Sequence, residues 1–125
     1  MRSVPKISNS EWHIMRVLWE SSPLTANQVV EFMSDETKWK SRTVKTLINR
    51  LVKKGALSYE ADGRTYLYSP KVNEEDCVRA ESSSFLRRTF AGALVPMLVH
   101  FIEDRSLSNK EIDELTEILE QKRKG

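Results

Sequence analysis

The sequence predicts a mainly α chain carrying one small antiparallel β-hairpin. Three observations predict it. Capping-box spacings precede apolar positions set three and four apart near the N-terminus. Asp62–Gly63 divides two aromatic-rich runs of strand type. Helical spacing then returns from Asn73 onward. Three helices, a hairpin and three more helices make a winged helix-turn-helix over residues 1–70 and a helical region over 71–125.

The first helix opens at Ser8, three residues before Glu11, and sets Trp12, Met15, Leu18 and Trp19 on one apolar face. After Pro23, Thr25 and Gln28 repeat that spacing before a short helix with Val29, Phe32 and Met33 on one side. Residues 34–38 read as a polar loop. Ser41 is the expected N-cap of a third helix, which runs to Lys54, where Gly55 supplies the stop. With Asp62–Gly63 as a two-residue loop, Tyr59 pairs with Tyr66 and Leu57 with Tyr68. Those four share one face, and Ser58, Glu60, Thr65 and Leu67 share the other. Tyr59, Tyr66 and Tyr68 are therefore expected on the inner face of the ribbon, which needs helices behind it. Asn73 and Asp76 open a helix to about Ala91, and Gly92 interrupts it. Residues 94–104 form an apolar helix with Pro96 in its first turn. Ser108 and Glu111 cap a last helix striped with Ile112, Leu115, Ile118 and Leu119.

Composition bounds the class. The 125 residues make one domain, or one small domain with an appended element. A hydrophobic fraction of 39% implies a thin core or apolar surface completed by a second copy. No run approaches the roughly 20 apolar residues that span a bilayer, and none is of signal-peptide type. Cytoplasmic location without membrane insertion is the expectation. The single cysteine, Cys77, excludes an internal disulfide and a cysteine-cluster metal site. Residues 1–70 hold 11 basic and 7 acidic side chains, and residues 71–125 hold 9 and 11. A basic half followed by a mildly acidic half suggests two jobs.

The basic half is concentrated further. Residues 38–55 contain seven Lys or Arg and no acid. On a helix, Val44, Leu47, Ile48, Leu51 and Val52 gather as a buried stripe, and Arg42, Thr43, Lys45, Thr46, Asn49, Arg50 and Lys53 gather opposite. Arg and Lys suit guanine O6/N7, Asn suits adenine N6/N7, and Thr suits either or the thymine methyl. The N-terminal end of such a helix enters the major groove, so Arg42, Thr43, Lys45 and Thr46 are the expected base contacts. Lys40, Ser41, Asn49, Arg50 and Lys53 are expected on the DNA backbone, joined by Arg64 from the hairpin tip. A charge run also fits a plain solvated face; the capped helix before it and the wing after it favour double-stranded DNA. A winged-helix module that docks on an acidic protein is the alternative.

One reading helix gives limited specificity, which a two-fold dimer doubles. Phe85, Leu86, Phe90, Leu94, Leu98, Phe101, Ile102, Ile112, Leu115 and Leu119 are the expected homodimer residues, because the chain after residue 70 is too short to bury them alone. The competing arrangement folds these helices back onto the N-terminal module. Trp12 and Trp19 are expected as packing anchors. Trp39 fits either the core or a rest against the sugar-phosphate backbone. Nothing supports catalysis: His13 and His100 are isolated, and no metal box, phosphate loop or catalytic dyad is present. No cofactor is expected. Cys77 lies early in a helix, where a thiol pKa can fall, yet a partly buried structural thiol is the simpler reading.

The stretches "ISNSEWHIMRVLW", "SRTVKTLINRLVKKGAL", "GRTYLYSP" and "FIEDRSLSNKEIDELTEILE" resemble the BlaI/MecI family of penicillinase and methicillin-resistance repressors, over nearly the whole chain. Glu11, Trp12 and Met15 match family positions in the first stretch, and Thr43, Thr46 and Arg50 do in the second. The resemblance implies a homodimeric repressor of palindromic operators with TACA/TGTA-type half-sites, controlling β-lactamase and associated sensor genes. It further implies induction through a membrane sensor-transducer, followed by proteolysis within the C-terminal helices. The family bond joins Asn to Phe; the aligned bond here is His100–Phe101, which keeps the Phe and replaces the Asn. Copper-responsive relatives carry a C-terminal cysteine cluster that this chain lacks, so metal sensing is disfavoured. Repression of unrelated genes is the other alternative within the resemblance.

Overall fold

The computed structural model describes residues 4–34 and 38–125; of the polar loop expected over 34–38, positions 35–37 lie outside the described residues. The elements are α1 (Asn9–Glu20), α2 (Ala26–Ser34), α3 (Ser41–Lys54), β1 (Leu57–Asp62), β2 (Thr65–Pro70), α4 (Glu74–Phe90), α5 (Leu94–Asp104) and α6 (Asn109–Lys124). They form two compact units, Met1–Ser82 and Ser83–Gly125.

Local chemistry sets the starts and stops in the first unit. Ser8 and Glu11 form the expected capping box on α1, each side chain accepting from the other's backbone N–H. Thr25 and Gln28 do the same for α2. At the end of α3, Gly55 takes φ +84°, and the Ala56 N–H donates back to the Leu51 carbonyl at 2.9 Å. This left-handed stop favours glycine because it has no Cβ.

Ile14, Met15, Leu18, Val29, Met33, Val44, Leu47, Ile48, Leu51 and Leu57 form the core between α1, α2, α3 and the hairpin. Trp12, Trp19 and Trp39 pack against it partly buried, and the Trp19 indole N–H donates to the Val72 carbonyl at 2.9 Å. Two members of the expected apolar faces sit outside it. Phe32 is 49% exposed, and Val52 is only half-buried. At 3.6 residues per turn, Ala26, Val29, Val30 and Met33 make a continuous stripe on α2 and leave Phe32 beyond its edge. Val52 likewise falls at the rim of the stripe centred on Val44, Ile48 and Leu51.

The hairpin register differs from expectation by one loop step. Tyr59 pairs with Tyr68, Ala61 with Tyr66 and Leu57 with Pro70, so the loop is Gly63–Arg64 rather than Asp62–Gly63. Gly63 has φ +63°, while neither Asp62 nor Arg64 has positive φ. An Asp-Gly type I′ loop needs positive φ at both central residues; glycine at the first position alone suits type II′. The slip moves each pairing by two residues and preserves which side chains share a face. Leu24 adds a bridge to this ribbon: its N–H donates to the Tyr68 carbonyl at 3.1 Å, and Tyr68 returns a bond at 2.8 Å. Tyr68 is buried, whereas Tyr59 and Tyr66 are each 51% exposed, so only one of the three tyrosines joins the core.

Asn73 caps α4 through its side-chain oxygen, which accepts from the Asp76 N–H at 2.8 Å. The early part of α4 contributes Cys77 to the first unit's core. Burial pushes the Cys77 thiol up from its ordinary pKa, with Asp76 adding to the effect. That direction and the burial of Cys77 fit the reading as a structural thiol.

In the second unit, α4 ends through Ala91 at φ +49° and Gly92 at φ +85°. Phe85 stacks on Phe101 with ring centroids 6.1 Å apart. Ser108 and Glu111 form the predicted capping box of α6. Neither α5 nor α6 contains a buried residue.

Candidate nucleic-acid interface

The strongest functional feature is the exposed side of α3. Its buried residues are Val44, Leu47, Ile48 and Leu51, and every basic side chain along it lies outside that stripe. Helical geometry lines up Arg42, Thr46, Asn49 and Lys53 as a ridge opposite the core. Lys45 flanks the ridge on one side, and Thr43 and Arg50 flank it on the other. All seven are exposed, as are Lys40, Ser41 and Arg64 at the wing tip. Among the described residues, no carboxylate pairs with Lys40, Arg42, Lys45, Arg50 or Lys53. Among the described residues, the ridge therefore carries positive charge that no ion pair offsets.

The start of α3 differs from the expected cap. Lys40, not Ser41, is the N-cap, with extended backbone at φ −73° and ψ 152°, and its carbonyl accepts from the Val44 N–H at 3.2 Å. Trp39, half-buried, immediately precedes this cap and lies beside the His13 ring. A lysine side chain has no acceptor, so it caps nothing. The N–H groups of Ser41, Arg42 and Thr43 thus have no side-chain cap among the described residues, while α1, α2, α4 and α6 are each capped by an oxygen. Free N–H groups at a helix start suit an anionic oxygen.

Thr46 carries a detail that sequence reasoning did not reach. Its hydroxyl donates to the Arg42 carbonyl at 2.9 Å. With that proton committed, Thr46 presents its methyl and its acceptor lone pairs outward.

The wing and α2 approach Lys45. A cleft of about 150 Å³ is lined by Thr25, Ala26, Asn27, Lys45, Thr65, Tyr66 and Tyr68. Asn27 and Tyr66 thereby join the basic ridge as polar neighbours that sequence reasoning missed. Their signal was present, since the capping box located the start of α2, but the Leu24–Tyr68 bridge that brings β2 beside it has no sequence pattern.

Lys54 departs from the other lysines. Its ammonium donates to Glu11 Oε1 at 2.5 Å and to the Lys6 carbonyl at 3.0 Å. Glu11 is 1% exposed. Burial raises the Glu11 pKa, but the bond from Lys54, the bonds from Ser8 and the Lys54 charge outweigh it and hold the carboxyl below its ordinary range.

Other chemistry is thin. Among the described residues, no group of three His, Cys, Asp or Glu is arranged to hold a metal ion, and no helix is long and apolar enough to cross a membrane alone. His13 is exposed and meets Trp39 edge-on at 5.3 Å; His100 lies near Asp104 at 3.3 Å.

The second unit presents a different surface. Leu94, Leu98, Phe101, Ile102, Ile112, Leu115 and Leu119 are between 39% and 63% exposed in the single chain, and Phe85, Leu86 and Phe90 are half-buried. His100 and Phe101 are both accessible on α5.

Comparison with known proteins places the chain among repressors. Residues 7–121 match the penicillinase repressor family. The chain is 39% identical to the penicillinase repressor of Bacillus licheniformis over 121 residues, 97% of this chain and 94% of that protein. It is 32% identical to the methicillin resistance regulatory protein MecI of Staphylococcus aureus over 117 residues, 94% and 95% of the two chains. Among solved structures, the monomeric form of Bacillus licheniformis BlaI in complex with the blaP half-operator aligns with a TM-score of 0.54 at 37% identity. That alignment covers 61% of this chain and 93% of the other.

Proposed function

The chain belongs to the penicillinase repressor family, and on that premise we propose that it is a transcriptional repressor of β-lactamase or β-lactam-resistance genes, acting as a homodimer on palindromic operator DNA in the cytoplasm. The observation that carries this reading is the exposed ridge of Arg42, Thr46, Asn49 and Lys53 on α3, opposite the buried stripe of Val44, Leu47, Ile48 and Leu51. Arg42, Thr43, Lys45 and Thr46 read base edges in the major groove, Thr46 by its methyl or as an acceptor. Lys40, Ser41, Asn49, Arg50 and Lys53 hold phosphates, and Arg64 reaches the flanking backbone from the wing. The relative of known structure that contacts a half-operator supports the same use of this module.

The C-terminal helices supply the second half-site reader. The domain division we adopt is residues 1–70 for DNA binding and 71–125 for dimerisation. Two linked modules bind together at high effective concentration, and a two-fold dimer spans half-sites about 34–36 Å apart or multiples of that. Severing the His100–Phe101 bond, through a membrane sensor-transducer or a protease it controls, would unlink the modules without touching α3. Release then follows from lost phosphate contacts, because affinity falls steeply with their number.

The test is binding to a palindromic duplex with TACA/TGTA half-sites and to its scrambled counterpart across a salt series. A preference for the palindrome that persists as affinity falls with salt is expected. Equal binding to both duplexes throughout would refute operator recognition and favour docking on an acidic protein. Selection of bound genomic fragments would then name the regulated genes.

A further inference from the structure

Lys54 belongs to the basic run by sequence, yet its side chain turns away from the ridge. Its ammonium is spent on Glu11 Oε1 and the Lys6 carbonyl. Glu11 is in turn fixed by the Ser8 N–H at 2.8 Å and is almost wholly buried. At the other end of α3, the Trp39 ring meets His13 edge-on at 5.3 Å. Glu11 and His13 both belong to the first turns of α1. The reading helix is therefore tied at both ends to one short piece of α1.

We infer that Lys54, acting through Glu11, is a positioning residue that fixes the tilt of α3 for operator discrimination and makes no DNA contact itself. The pair joins a buried carboxylate to a lysine whose side chain stays 36% exposed, an arrangement that contributes little to stability alone. It is directional, however, and a tilt is what the reading end amplifies. Along the helix axis Lys54 and Arg42 are about 18 Å apart. Ile48, buried in the middle of the apolar stripe, lies about 9 Å along the axis from each of them, so a rotation of about 5° about it moves Arg42 by about 0.8 Å, more than the width of the hydrogen-bond distance window. Base contacts near Arg42 would weaken, while phosphate contacts, which tolerate movement better, would largely persist.

This rests on operator reading by α3. The test compares wild type, Lys54→Met, the double variant Glu11→Gln/Lys54→Met and Lys53→Gln on the palindromic and scrambled duplexes, below each protein's melting transition. The double variant leaves no buried charge unpaired, so it keeps the test valid should Lys54→Met fold poorly. For both Lys54 variants the ratio of palindromic to scrambled affinity is expected to fall about fivefold or more, with the salt slope unchanged. Lys53→Gln should weaken both duplexes alike and lower the salt slope by about one. Lys54 variants that weaken both duplexes equally have lost only stability, and the inference is overturned. A salt slope lowered by Lys54→Met would make Lys54 a phosphate contact and overturn it too. Wild type without a preference would sink the operator reading, and this inference with it.

Discussion

Truncating Leu119 to Ala probes the proposed dimer where the single chain covers it least. Leu119 is 63% exposed on α6, and Ile118 beside it is equally so. Full burial of a leucine side chain is worth about 1.5–3 kcal/mol. The uncovered share, less the methyl that Ala retains, amounts to about 1 kcal/mol per protomer by the same scale. A two-fold interface uses each position twice, so Leu119→Ala should cost the dimer about 2 kcal/mol, a rise in dissociation constant of about 30-fold. Alanine introduces no charge and has the best helix propensity, so α6 itself should survive. Sedimentation equilibrium over a concentration series reads the constant, and far-ultraviolet circular dichroism confirms retained helix. An unchanged constant in a fully helical variant would show that this face of α6 is not the interface.

Arg42→Ala should reduce discrimination between palindromic and scrambled duplexes by about 1–3 kcal/mol in competitive titrations; equal loss on both would reassign Arg42 to the backbone. Thr46→Val keeps the methyl and removes the acceptor, so binding retained by Val and lost by Ala would identify the methyl as the reading group. Acid should expose the Glu11–Lys54 pair. The folded-state pKa of Glu11 is depressed, so its stabilisation is fully present above the unfolded value of about 4.3 and is lost as pH falls through the lower folded value. The melting difference between wild type and Glu11→Gln should shrink over that acidic window. A difference constant with pH would refute the assignment.

What was legible in the sequence was what a local signal encodes. The Ser8–Glu11, Thr25–Gln28 and Ser108–Glu111 boxes and the Gly55 stop need only neighbours three or four residues apart, and all formed as read. The faces of the hairpin survived even though its register did not, because a two-residue slip conserves the alternation of side chains. What escaped reading was set by distant partners. Lys54 looked like one more surface lysine until Glu11, 43 residues away, was placed beside it. Leu24 pairs with Tyr68 as a single bridge, too short to leave a periodic trace. Ser41 is a good cap by type, yet the N-cap falls one residue earlier, on Lys40. The exposed ridge of α3 was recovered in full, since burial of Val44, Leu47, Ile48 and Leu51 determines what faces outward.

The first turn of α3, without a side-chain cap among the described residues, bears on the cost of the proposed recognition. Ser41, Arg42 and Thr43 carry amide protons that no side chain among the described residues protects, and uncapped helix ends open with little free-energy cost. If a backbone phosphate takes the place of the missing cap, the target completes the fold of its own reader. Ordering that turn then subtracts from affinity on every duplex, while only a correctly registered site returns it through Arg42 and Thr43. Amide hydrogen exchange would record this as protection at three adjacent positions, appearing with DNA and fading with salt. On the proposed function, the end of α3 without a side-chain cap among the described residues is also the end that would choose the sequence.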